Sequence, residues 1–92
     1  MPFDQNLLNN AILKNQVEWR KHVLQRLSER SISQASVKNV VFSGERIEEH
    51  PDDKPFPTAL YLDWIEGKPL HVVVAFDVIE QLHILLLLMN QI

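Results

Sequence analysis

Two β-prone runs close around a turn between Leu60 and Asp77, and no other stretch limits the fold as strongly. Ala59 to Ile65 and Leu70 to Phe76 are rich in β-branched and aromatic residues, and Glu66-Gly67-Lys68-Pro69 between them holds the glycine and proline of a reversal. The pattern predicts an antiparallel hairpin. With Ile65 opposite Leu70, Trp64 faces His71, Leu62 faces Val73 and Leu60 faces Ala75, while Tyr61, Asp63, Val72, Val74 and Phe76 share the other side. Both sides are mainly apolar, which predicts a hairpin in the middle of a sheet and covered on both faces.

The preceding residues read as helices. Asp4 is placed to cap a helix from about Gln5 to Lys14, with Leu7, Leu8, Ala11 and Ile12 at helical spacing. From about Val17 to Glu29, Trp19, Val23 and Leu27 form an i, i+4, i+8 row that predicts a second helix, broken by Ser31-Ile32-Ser33. Beside that row His22, Arg26 and Arg30 repeat the same spacing and line one edge of its buried side. Ser33 is suited to cap a third helix from about Gln34 to Phe42, with Val37, Val40 and Val41 inward and Gly44 as a left-handed stop.

After Gly44, Glu45 to Glu49 reads as a short edge strand with Ile47 buried, and the proline-rich His50 to Pro57 as a stiff loop. Beyond the hairpin, residues 78–81 connect to a last strand from Leu82 to Met89, whose unbroken apolar run predicts burial against a second chain. Helices followed by antiparallel strands make an α+β domain of two layers, N-terminal helices on a small antiparallel sheet.

Ninety-two residues suffice for one domain, and a core this small favours a partner or a dimer. Without cysteine, disulfides, thiolate nucleophiles and cysteine-ligated zinc are excluded, which fits a reducing cytoplasm. The run Ile84 to Met89 is far short of the roughly 20 apolar residues that span a bilayer, so no membrane segment is expected. The net charge of −3 conceals an asymmetry. Residues 1–44 carry six basic against three acidic groups, and residues 45–92 three against nine. The first half can therefore meet phosphate, while Glu48, Glu49, Asp52 and Asp53 suit a basic protein partner.

Four blocks in order, His22 to Ser33, Gly44 to Glu48, Pro51 to Pro57 and Pro69 to Asp77, together resemble a bacterial family of small domains of unknown function. The resemblance covers residues 17–83 and leaves 1–16 as a helical N-terminal extension of the single domain. That family is similar in fold to RelE-like and MqsR-like toxins, and its members are often encoded beside a zinc-finger antitoxin of the MqsA (YgiT) type. The resemblance implies a cytoplasmic toxin-like protein that cleaves messenger RNA without a metal or other cofactor, with an antitoxin as partner. The N-terminal helix and the apolar C-terminal strand depart from the pattern and open two alternatives: a non-catalytic protein-binding module, or a degenerate member that has lost activity.

Metal-independent RNA cleavage needs a base for the 2′-hydroxyl proton, an acid for the leaving oxygen and cations around the phosphate. His22 and His71 are candidates for proton exchange and Tyr61 for the acid, with Arg26, Arg30 and Lys54 as the RNA-binding cations. Each has an ordinary structural alternative: a strand histidine bonded to a carbonyl, a core tyrosine, arginines paired with carboxylates. His50, Asp52 and Asp53 lie close in sequence, but without a returning histidine they do not define a metal site.

Overall fold

The computed structural model describes residues 4–77, and residues 83–91 through their backbone. Three helices and five strands follow in the order α1 (Gln5–Leu13), β1 (Val17–Trp19), α2 (Lys21–Arg30), α3 (Gln34–Ser43), β2 (Glu45–His50), β3 (Thr58–Ile65), β4 (Lys68–Asp77) and β5 (His83–Gln91). The strands form one sheet in the order β1-β5-β4-β3-β2, antiparallel throughout except that β1 runs parallel to β5. The helices lie on one side, giving the expected two-layer α+β arrangement. No helix among the described residues is long and apolar enough to cross a membrane.

Local chemistry sets the helix ends. The Asp4 carboxylate accepts from the Asn6 N–H at 2.8 Å, and the Ser33 hydroxyl accepts from the Ser36 N–H at 3.0 Å, so both expected caps form. The left-handed stop, however, is Ser31 at the end of α2, with φ 55°. Gly44 is extended, with φ −76° and ψ 179°. A glycine is needed there because a Cβ would collide with the Val40 carbonyl oxygen and lie 2.8 Å from that of Leu62, where α3 passes close to β3.

Val17 to Trp19 is a strand rather than the first turn of a helix. Its Val17, Glu18 and Trp19 pair with Ile84, Leu85 and Leu86 of β5, a non-local ladder that overrides the helical spacing of Trp19 with Val23 and Leu27. Val23 and Leu27 are buried as expected, and Trp19 packs beside them from β1. The same ladder places the last strand inside the sheet. β5 sits between β1 and β4 and is not at an edge, so an unbroken apolar run suits its place in the sheet. Residues 78–82 and the side chains that would meet a second chain lie outside the described residues.

The hairpin forms with a shorter turn than the sequence suggested. Glu66 and Gly67 both take positive φ, 52° and 79°, as the two central residues of a type I′ turn do, and Ile65 pairs with Lys68. Pro69 therefore enters β4 opposite Trp64, and each expected pairing shifts by two residues, so that Leu60 faces Val73 and Leu62 faces His71. A shift of two leaves every side chain on its original side. Ala59, Tyr61, Leu70, Val72, Val74 and Phe76 are buried beneath the helices with Leu8, Ala11, Ile12, Val37, Val40 and Val41.

Among the described residues the expected second covering, on the side of the sheet away from the helices, is only partial: Ala75, at the end of β4 near Asp77, is 4% exposed there. Elsewhere on that side Leu60, Leu62, His71 and Val73 are only half-buried, and Trp64 is 62% exposed. The edge strand β2 lies where expected, but Ile47 occupies a bulge between the pairs Arg46–Tyr61 and Glu48–Leu60 and is exposed. The half-buried residues of β2 are Arg46 and Glu49.

Candidate nucleic-acid interface

The first positions of α2 break the usual rule for charges on a helix. Arg20 precedes it without a side-chain cap, and Lys21 and His22 open it, where the partial positive charge of the N-terminus disfavours cations. Val23 and Leu27 hold the helix to the core, which leaves His22, Arg26 and Arg30 in one exposed row with a rise of about 6 Å per step. Arg30 falls in the last turn, where the dipole favours a cation. Four cations, Arg20, Lys21, Arg26 and Arg30, thus crowd a ten-residue helix and its cap.

A depression of 580 Å³ opens at the start of this helix, lined by Glu18, Trp19, Arg20, Lys21, His22 and Gln25. It sets an imidazole beside a half-buried indole and two cations, a combination suited to a base that stacks and a phosphate that is held. Arg20 and Lys21 were legible as a basic pair next to His22. Trp19 was hidden because a helical reading assigns it to the core stripe.

The six candidate residues do not converge. His22, Arg26 and Arg30 share the exposed side of α2. His71 lies in mid-strand on the open side of the sheet, so the sheet separates it from the helices. Lys54 is exposed in the loop between β2 and β3, at the other end of the sheet from β5, on which α2 packs. In that loop the Lys54–Pro55 peptide is cis, and the Thr58 hydroxyl donates to Asp53 at 2.5 Å.

Tyr61 belongs to a polar cluster under the helices that the sequence did not reveal. Its hydroxyl donates to the Gln5 side-chain oxygen at 2.9 Å and accepts from Arg46 Nε at 3.0 Å. Arg46 Nη2 also donates to Gln5, at 2.9 Å, while Nη1 lies 3.4 Å from Glu49 and the guanidinium carbon 5.6 Å from the ring centroid. The Gln5 amide nitrogen completes the set by donating to Asn9 and to the Val41 carbonyl. Burial pushes the Tyr61 hydroxyl above its usual range, and the hydrogen bond from Arg46 only partly opposes this. With 1% exposure the phenol ties α1, β2 and β3 together, and its proton is directed at Gln5 rather than at any surface.

Among the described residues, no group of three or more histidine, aspartate or glutamate side chains is placed to hold a metal ion. Compared with known proteins, residues 19–85 match a family model described as a domain of unknown function (DUF4258). No curated protein and no solved structure matches the chain.

Proposed function

The chain belongs to the DUF4258 family, and we propose that it is a toxin-like cytoplasmic protein acting on RNA, a metal-independent endoribonuclease whose substrate strand lies along α2. The supporting observation is the exposed row of His22, Arg26 and Arg30, with Arg20 and Lys21 gathered at a helix start that opposes cations. An anionic ligand bound there would offset charges in so unfavourable a position. In this reading His22 takes the proton of a ribose 2′-hydroxyl as its oxygen attacks the adjacent phosphorus. Arg26 faces the non-bridging oxygens, Arg30 holds a phosphate farther along the strand, and the leaving 5′-oxygen takes its proton from water. Trp19 stacks on a neighbouring base.

His22→Gln should lower cleavage of an oligoribonucleotide by about 100-fold or more while leaving its binding intact. Arg26→Ala should weaken binding and flatten its salt dependence without changing the melting temperature. A wild-type protein that neither binds nor cleaves RNA, and whose induction leaves growth unchanged, would sink this reading.

A second reading, a protein-binding module, is favoured by the open side of the sheet. Trp64, Leu60, Leu62 and Val73 form an apolar surface there, and Glu45 and Glu48 border it through their pairing with Leu62 and Leu60. That combination suits a basic, amphipathic segment of a partner such as an antitoxin. Stable pairing with a partner, without RNA cleavage, would favour this reading over the first.

A further inference from the structure

The depression at the start of α2 carries a carboxylate where an RNA strand would bring negative charge. Arg20 and Lys21 there only donate hydrogen bonds and Gln25 both donates and accepts, whereas Glu18 only accepts. Among the described residues no side-chain hydrogen bond or ion pair engages Glu18, although two cations follow it in the chain. We propose that Glu18 makes this site selective for guanine, its two oxygens accepting from the N1–H and the exocyclic N2–H of a base that lies against Trp19; the inference rests on the RNA reading of α2.

Size, position and hydrogen-bonding pattern select the base. A volume of 580 Å³ falls within the roughly 300–1,000 Å³ of sites that enclose a small molecule, room for one nucleoside. Glu18 and Trp19 alternate across β1, yet both line the depression, which runs along the free edge of that strand. A base seated against the indole can turn its Watson–Crick edge across the strand toward the carboxylate. Without such a donor, the carboxylate only repels the phosphates around it. Guanine offers two adjacent N–H donors on that edge, one for each oxygen. Adenine and cytosine offer an amino group beside a ring-nitrogen acceptor, and uracil a single N–H between two carbonyls. Each of these three sets a lone pair against the second oxygen and leaves it unsatisfied. Arg20 and Lys21 then serve the flanking phosphates.

Binding of 2′-fluoro pentanucleotides to the full chain tests the inference, because they lack the hydroxyl that cleavage requires. Each has uridines around a central guanosine, adenosine or inosine. The wild type should bind the guanosine strand about tenfold or more tighter than the adenosine strand, with inosine, which lacks the N2 amino group, between them. Glu18→Gln should weaken binding of the guanosine strand and strengthen that of the adenosine strand, since it removes a paired acceptor in one case and a repulsive charge in the other. Its melting temperature should match the wild type, as Glu18 is exposed. Both affinities falling together, or a guanosine preference that survives the substitution, would overturn the role of Glu18. Equal wild-type affinity for guanosine and adenosine strands, with Arg26→Ala still weakened, would overturn the guanine preference and leave the RNA reading standing. A wild-type chain that binds none of the strands would overturn both.

Discussion

The two sides of the sheet, built from alternating residues of the same strands, have opposite fates. On one side Tyr61, Val72, Val74 and Phe76 meet three helices and lose all but a trace of their exposure. On the other, Leu60, Leu62 and Val73 are only partly buried, and Trp64 beside them is exposed. Both sides read as apolar in the sequence, so hydrophobicity alone does not say which of them is the core. The difference lies in what covers them: α1 and α3 supply Leu8, Ala11, Ile12, Val37, Val40 and Val41 to one side only. Among the described residues no helix lies over the second side, and an apolar side of that kind suits a partner.

The sharpest way to break this contrast is to place a charge on each side in turn. Val74→Asp should strand a carboxylate in the core and cost on the order of 4 kcal/mol, much of the total stability of about 5–15 kcal/mol expected of a small domain. Val73→Asp, one residue away on the open side, should cost about 1 kcal/mol, chiefly through poor strand propensity. Equal losses in the two urea midpoints would show that both sides are covered.

A smaller effect probes the cover itself. Leu8 is fully buried although α1 precedes the family match, so Leu8→Ala should cost about 2–5 kcal/mol in chemical denaturation. No change would mean that residues 5–13 are an appendage rather than part of the core.

The smallest of the three concerns the polar cluster under that cover. Tyr61→Phe removes a hydroxyl shared by Gln5 and Arg46 and should cost about 1–2 kcal/mol. Because the Tyr61 proton is held more tightly in the folded chain than in the unfolded one, its contribution is complete below about pH 10 and declines as pH rises through the folded value. Wild-type stability should fall more steeply than that of Tyr61→Phe in alkaline solution, as melting curves up to pH 11 would show. Parallel curves would mean that the phenol is not held by burial.

Where local chemistry decides, the fold was legible from the sequence. Asp4 and Ser33 cap their helices, Val37, Val40 and Val41 point inward, and the sides of the hairpin follow from strict alternation. The misreadings have non-local causes. Val17 to Trp19 become a strand only because β5 pairs with them, and Ile47 is pushed out by a bulge that depends on its register with β3. The hairpin register turned on whether Glu66 tolerates positive φ, which a four-residue turn would not ask of it. Of the candidate site, the row on α2 follows from helical spacing. The union of Gln5 with Arg46 and Tyr61 joins residues too distant in sequence for any motif to link.

The place of β5 governs the order in which the molecule can be assembled. A chain made from its N-terminus forms the helices and the β2–β3–β4 unit first, because their partners are close in sequence. Val17 to Trp19 must wait for Ile84 to Leu86 before β1 has any partner. Until β5 arrives, β4 is a long, bare apolar edge, the kind of edge that recruits strands from other molecules. The nascent protein is therefore most vulnerable to aggregation while it lacks β5, and a chaperone or companion chain that shields β4 in that interval would raise the yield of folded molecules.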